Sequence, residues 1–239
     1  MITYKPTSPI RAITFDLDDT LYDNWPFIRA AESYLHQYIE THYPRAARFS
    51  SRQWHSFKKS ALAERPELKH DMGELRAVTL TKAFVQCGMR ADQIPAAVGD
   101  CFDAFYFKRS DFTVSTEIRA CLNKLSRRVP LVAITNGNVN LKQIGITRYF
   151  EYALHANLNQ RMKPYPDMFE HAAALLQLAP NSILHVGDNL EKDIWAATRV
   201  GYSTAWYACN REMNINREHV MTLPHLQLSS LTNLEDLVR

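Results

Sequence analysis

ITFDLDDTLYDN, residues 13–24, sets four aspartates, Asp16, Asp18, Asp19 and Asp23, directly behind a short apolar run. The run belongs to IRAITFDL (10–17), which is rich in β-branched and aromatic side chains and reads as a buried strand. Acidic side chains at the end of such a strand need a reason, and the rest of the chain supplies one.

Further strands read from PLVAITN (130–136), SILHVGDN (182–189) and STAWYA (203–208), with less regular ones over FEYALHA (150–156) and near residue 228. Helical patterns lie between them. STEIRACLNKLSRR (115–128) opens on Ser115 as N-cap, with Glu117 in its first turn and Arg127 and Arg128 at its end. PDMFEHAAALLQL (166–178) puts Phe169, Ala172, Ala173 and Leu176 on one face, and LEKDIWAATRVG (190–201) stops at Gly201. Alternating strand and helix predict an α/β fold, a Rossmann-like parallel sheet with crossover helices. Residues 24–110 show only helical patterns, at 26–43, 72–88 and 94–108, the first with a stripe of Phe27, Ala31, Tyr34 or Leu35, and Tyr38. The expected organisation is therefore a sheet core over 1–22 and 111–239, with a helical domain inserted at 23–110.

Composition narrows the function. The 239 residues are 46% hydrophobic and 22% charged, as in a soluble globular protein, and no apolar run approaches the ~18 residues of a membrane span. No apolar segment of signal-peptide type opens the chain, and Cys87, Cys101, Cys121 and Cys209 form no C-x-x-C pair. The expected setting is the cytoplasm, with the cysteines as small buried residues. A net charge of +3 does not argue for nucleic acid. Residues 24–110 carry 13 Lys+Arg against 9 Asp+Glu, so the inserted part is the basic one.

Ligands of open α/β sheets bind beyond the carboxyl ends of the strands. Four such places here carry reactive groups: Asp16-Leu17-Asp18, Thr135-Asn136, Asp188 with Asp193 five residues on, and Lys163 on a loop before Pro164. Bare carboxylates so close repel one another, and a hard cation such as Mg²⁺ relieves this. The matching chemistry is phosphoryl transfer. Asp16 attacks phosphorus, and Asp18, on the same side of an extended chain, serves as acid and then base. Thr135, Lys163 and nearby backbone N–H groups steady the phosphoryl oxygens, and Asp193 orients Lys163 or the metal's water. An EF-hand starting at Asp16 fails, because its sixth and twelfth positions are Leu21 and Phe27. None of the seven glycines precedes a lysine and no Gly-x-Gly-x-x-Gly occurs, which removes the P-loop and the dinucleotide fingerprint.

With these residues in order, the chain resembles the haloacid dehalogenase-like phosphohydrolases. Asp16-Leu17-Asp18-Asp19-Thr20-Leu21 is similar to their first motif, Thr135 to the second, Lys163 to the third and Gly187–Asp193 to the fourth. The resemblance implies catalytic Asp16, Asp18, Thr135 and Lys163. It implies phosphate binding by Asp16, Leu17, Asp18, Thr135, Asn136 and Lys163. Mg²⁺ is expected on Asp16, Asp18 and Asp188, backed by Asp193. The insert then looks like the family's first type of helical cap. Across nearly the whole chain, TFDLDDTLYDN, PLVAITNGN, KPYPDMF, ILHVGDNLEKD and LPHLQLSSL look like a narrower bacterial branch. That branch dephosphorylates flavin mononucleotide (FMN) and 5-amino-6-(5-phosphoribitylamino)uracil, a riboflavin precursor. The partner this implies is a small phosphorylated metabolite, with neither nucleic acid nor membrane.

In the insert, Trp25, Arg29, His70, Asp71 and Arg76 are the candidates for touching the leaving group, by stacking or by pairing with polar oxygens. His185, Trp195 and Trp206 read as packing residues, and Asp19 and Asp23 as turn residues. Three alternatives stay open. One is a phosphatase or phosphomutase for another sugar or nucleotide phosphate. The second is a dehalogenase, which needs neither metal nor leaving-group acid. The third is a non-enzymatic, receiver-like phosphoacceptor. Substrate and oligomeric state are not legible at this level.

Overall fold

A computed structural model describes residues 1–238. The chain divides into two compact units. One comprises Met1–Asn24, Thr113–Gly137 and the chain from Leu141 onward; the other comprises Trp25–Phe112 and Asn138–Asn140.

The first unit is built on a seven-stranded sheet in the order β1-β7-β6-β5-β2-β3-β4. Its strands are β1 (Ile2–Thr3), β2 (Ala12–Phe15), β3 (Leu131–Thr135), β4 (Tyr152–His155), β5 (Ile183–Gly187), β6 (Ser203–Trp206) and β7 (Leu226–Gln227). All neighbours are parallel except β1, which pairs antiparallel with β7. Every residue of β2, β3, β5 and β6 is buried, the mark of a parallel sheet covered on both faces. The edge strand β1 has two exposed residues and no sequence signal.

In the second unit, α1 (Trp25–His42), α2 (Pro44–Ala47), α3 (Ser51–Glu64), α4 (Met72–Gln86) and α5 (Ile94–Arg109) follow one another. Ala31, Leu35 and Ile39 of α1 share a core with Leu80 and Phe84 of α4 and with Ala97, Cys101 and Phe105 of α5. The buried stripe of α1 thus runs at every fourth residue, while Tyr34, one of the two residues offered for that stripe, is 39% exposed. Helix α3, not among the helices expected from the sequence, carries a single buried residue, Ala61. Its start is marked locally, where the Ser50 N–H donates to Gln53 Oε1 at 2.9 Å.

Back in the sheet unit, α6 (Thr116–Leu125) is capped by Ser115, whose hydroxyl accepts from the Ile118 N–H. α7 (Asp167–Leu176) and α8 (Ala196–Arg199) bury Met168, Phe169, Ala172, Ala196 and Ala197 against Ala12, Val132, Ile134 and Ile183 of the sheet. Burying one such Phe or Ile contributes about 1.5–3 kcal/mol. The helix expected over 190–201 is not uniform. Leu190–Trp195 is wound as a π-helix, with the Ile194 N–H reaching back five residues to Asn189 O, before α8 begins. Of the cysteines, Cys101 and Cys121 are buried as expected, whereas Cys209 is exposed.

Candidate active site

Parallel register gathers the reactive groups. Phe15 of β2 lies opposite Ala133 of β3 and Val186 of β5, so these three strands end on one rim. Asp16 follows β2, Thr135 closes β3 and Asp188 follows β5. The rim is the C-terminal edge, where ligands of such sheets bind.

Lys163 is the hub. Its ammonium lies 2.5 Å from Asp16 Oδ1, 2.6 Å from Asp193 Oδ1 and 2.9 Å from the Ile134 carbonyl, so all three donors are used. The side chain is 2% exposed. Its main chain is clasped by Asn136, which accepts from the Lys163 N–H at 2.7 Å and donates to the Lys163 carbonyl at 2.9 Å. Lys163 precedes Pro164 through a cis peptide bond.

Asp193 is held just as firmly. Oδ1 accepts from Lys163 and from His185 Nε2 at 3.2 Å, and Oδ2 accepts from the Asn189 N–H at 3.0 Å. His185 is fully buried and pairs in register with Thr14, whose hydroxyl lies 2.8 Å from His185 Nδ1. A carboxylate only accepts, so the imidazole proton belongs on Nε2 and Nδ1 accepts from Thr14. Burial pushes the His185 pKa down, with Asp193 opposing, which keeps the ring neutral. His185 is therefore more than a packing residue: it is the prop behind Asp193.

Close approach also explains two glycines. A Cβ at Gly187 would stand 2.3 Å from Asp193 Cγ, and one at Gly137 would stand 2.7 Å from Asp18 Oδ2. Both carboxyl groups sit in space that only glycine leaves open.

The charges do not balance within the cluster. Burial lowers the Lys163 pKa, but Asp16 and Asp193 outweigh it and hold the ammonium above its ordinary range. Burial raises Asp193, yet Lys163 and His185 keep its carboxyl well below the usual carboxylate range. Asp16 is the partner left short. Burial drives its pKa well above the ordinary value, and Lys163 only partly offsets burial and the nearby Asp193 and Asp188. Asp188 is pushed up to about 6 by burial and by Asp193, with Arg211 acting against both. One ammonium is thus shared among buried carboxylates, and a further positive charge would fit.

The donor set suits a hard cation. One ligand atom each from Asp16, Asp188 and Asp193 falls within 4.8 Å of the others, the kind of oxygen cluster Mg²⁺ takes. Asp193 accepts two hydrogen bonds on Oδ1 and one on Oδ2, whereas Asp16 accepts one on each oxygen and Asp188 one from Arg211 on Oδ2, so Asp16 and Asp188 keep more lone pairs for an ion. The carboxylate of Asp18, expected among the ligands, is outside this cluster among the described residues. Its Oδ1 accepts from the Tyr22 hydroxyl at 2.6 Å.

The remaining expected residues fall nearby. Thr135 is buried and accepts from the Gly137 N–H at 3.0 Å. Leu17 is buried, and its carbonyl accepts from the N–H groups of Thr20 and Leu21 as the chain turns off the sheet. Thr20 donates to Asp16 Oδ2 at 3.2 Å. Asp19 takes a left-handed φ of 62° and accepts from the Asn24 N–H, the work of a turn residue. Trp206 is buried, and its indole N–H also donates to the Asp188 carbonyl at 2.7 Å.

Of the candidates in the helical unit, Asp71 is the N-cap of α4, accepting from the Glu74 N–H at 2.9 Å. Trp25 opens α1 at 64% exposure, with the Arg29 guanidinium 5.7 Å from its ring. His70 is buried. Arg76 stacks over Phe105 at 3.4 Å from the ring centroid, and its buried Nε has no hydrogen-bond partner.

Known proteins resemble this chain over most of its length. Residues 10–201 match the model of the haloacid dehalogenase-like hydrolases. The chain is similar to the 5-amino-6-(5-phospho-D-ribitylamino)uracil phosphatase YigB of Escherichia coli (strain K12), with 33% identity over 98% of this chain and 99% of that protein. It is 23% identical to the N-acylneuraminate-9-phosphatase of Rattus norvegicus, over 97% of this chain and 95% of the relative. Among solved structures, the 2-haloacid dehalogenase of Pseudomonas syringae pv. Tomato DC3000 superposes with a TM-score of 0.88 at 28% identity, covering 95% of this chain and 97% of the other.

Proposed function

The chain belongs to the haloacid dehalogenase-like hydrolase family, and from that premise we propose a Mg²⁺-dependent phosphatase of small phosphomonoesters. The proposed substrates are 5-amino-6-(5-phospho-D-ribitylamino)uracil, FMN or both. The observation that carries the reading is the buried Lys163 shared between Asp16 and Asp193, with Asp188 in the same cluster. The substrate rests on the full-length similarity to the E. coli phosphatase.

Asp16 is the nucleophile. Lys163 and Thr20 fix its two oxygens, and its attack on phosphorus forms an aspartyl-phosphate while the P–O bond to the leaving alkoxide breaks. Asp18 gives that alkoxide its proton and later removes one from the water that frees Asp16. Tyr22 holds Asp18 for both steps. Mg²⁺ held by Asp16 and Asp188 would supply charge stabilisation on the phosphoryl oxygens. Asn136 sets Lys163 by its main chain, and His185 and the Asn189 N–H keep Asp193 ionised behind it. The helical unit is assigned the choice of leaving group, and the cytoplasm is the proposed location.

A second reading has one observation in its favour, the similarity to the P. syringae dehalogenase. A departing halide needs no proton and no metal, so that reaction gives Asp18 and Asp188 nothing to do. A phosphate-release panel with and without Mg²⁺ separates the readings. It should hold FMN, the ribitylaminouracil phosphate, sugar phosphates and nucleoside monophosphates, beside a halide assay on 2-haloacids. Release from the flavin-pathway compounds that stops with EDTA is expected. A preference for sugar phosphates defeats the substrate assignment, and chelator-resistant halide release defeats the phosphatase.

A further inference from the structure

The segment after β6 returns to both acidic loops. The Tyr207 N–H donates to the Gly187 carbonyl at 3.0 Å, and the Cys209 N–H to the Asp19 carbonyl at 2.9 Å. Asn210 Nδ2 donates to Asp19 Oδ1 at 2.9 Å. Next comes Arg211, whose Nη1 lies 2.8 Å from Asp188 Oδ2 and whose Nη2 lies 2.8 Å from the Asp188 carbonyl. Its Nε donates to Glu218 Oε1 at 3.3 Å.

We propose that Arg211 is a positioning residue for the cation site, gripping Asp188 at two points so that the other carboxylate oxygen is presented to the ion. A single surface ion pair would carry little weight. This one differs in three ways. The Asp188 side chain is only 15% exposed, so the pair is partly shielded from water. The guanidinium fork engages side chain and main chain of the same residue, which limits rotation about both side-chain torsions of Asp188. The Trp206 indole N–H donates to the same carbonyl, which ties the Asp188 loop to β6 as well. Glu218 balances part of the guanidinium charge, which lessens its repulsion of a divalent ion. Hydrogen-bonded partners behind a ligand commonly set metal affinity as strongly as this.

The inference rests on the reading that Asp16 and Asp188 hold a divalent ion. The test is a titration of metal-free protein with Mn²⁺, counting free ion by electron paramagnetic resonance, so that no turnover is involved. Wild type, Asp188→Asn, Arg211→Gln, Arg211→Lys and Asn210→Ala are compared, each checked for fold by circular dichroism. Arg211→Gln is expected to weaken binding about tenfold. Arg211→Lys, which keeps the repelling charge without the fork, should bind as poorly as Arg211→Gln or worse. Asn210→Ala loosens the same segment without touching Asp188 and should leave affinity unchanged. If Arg211→Gln binds Mn²⁺ as well as wild type or better, Arg211 is a competitor or a bystander and the proposal is overturned. Should Arg211→Gln not fold, wild-type affinity in Arg211→Lys overturns it equally. If Asp188→Asn weakens binding while the Arg211 variants do not, this inference alone fails. If wild type takes up no Mn²⁺, or Asp188→Asn changes nothing, the cation reading fails and takes the inference with it.

Discussion

At the sheet rim Lys163 lies between Asp16 and Asp193 and Arg211 lies on Asp188, while the helical unit keeps a half-buried arginine whose Nε has no acceptor. The rim residues define one another: Lys163 needs two acids, Asp193 needs Lys163 and His185, and Asp188 has Arg211. Such a network has few other arrangements, which is why a reaction can be read from it. Arg76 has the Phe105 ring beneath it and the charge of Glu32 in its favour, but its Nε has no acceptor.

The hardest blow to this contrast is Lys163→Met. It leaves Asp16 and Asp193 buried with their shared counter-charge gone, a loss of about 3–5 kcal/mol by the usual cost of breaking a buried pair. Phosphate release should fall at least about 10³-fold, since a preorganised cation at the reacting phosphoryl is lost. Urea unfolding and a phosphate assay read the two effects. Asp16→Asn should match the lost activity while unfolding near wild type, because it removes the nucleophile and keeps a hydrogen-bonding side chain. Equal stability of Lys163→Met and wild type would mean the cluster is not the interdependent network described.

Gly187→Ala tests the same network without removing any charge. Its Cβ would overlap Asp193 Cγ and Cβ, both backed by packed structure, so Asp193 must shift. About 1–3 kcal/mol of stability should go, with activity falling because Lys163 loses its second anchor.

The aspartates and Lys163 were legible because each follows a recognisable strand or precedes a proline, and parallel strands share one end. What lies behind them was not. His185 in an apolar strand looks like any core histidine, and only the pairing of β5 with β2 sets it beside Thr14 and behind Asp193. Arg211 sits in a loop without periodicity, 23 residues from its partner. The π-helical turn at Leu190–Trp195 has the same apolar pattern as an ordinary helix. Helix α3 was missed although Trp54, Phe57 and Ala61 fall at helical spacing, because it buries only Ala61 and most of its other positions are polar or charged. Local signals show where a side chain begins, and tertiary pairing decides what it meets.

A gentler probe of the rim is pH. In the metal-free protein Asp188 holds its proton up to about 6, above its value in an unfolded chain. A cation must displace that proton, so apparent Mn²⁺ affinity should be level above pH 7 and fall about tenfold per unit below 6. The sign for folding is opposite: this group's protonation favours the folded, metal-free protein as pH drops from 7 towards 5. Affinity that stays flat to pH 5 would remove Asp188 from the ligand set.

The smallest expected effect falls on Arg76, and it decides whether the two regions really differ. Burial pushes its pKa down to about 10, with Glu32 opposing, so the charge is poorly compensated where it sits. Arg76→Met keeps a long side chain against Phe105 and removes the buried charge, so stability should hold or rise by up to about 1 kcal/mol. If Arg76 serves a leaving group, KM for the ribitylaminouracil phosphate or FMN should rise about 3–10-fold, the net worth of one ordinary hydrogen bond. Hydrolysis of p-nitrophenyl phosphate, whose leaving group offers little for an arginine to grip, should change little. A uniform loss on all substrates together with lower stability would make Arg76 a structural cation resting on Phe105. The helical unit would then be as self-satisfied as the sheet rim, and the residues that choose the substrate would have to be sought at Trp25, Arg29 or His70 instead.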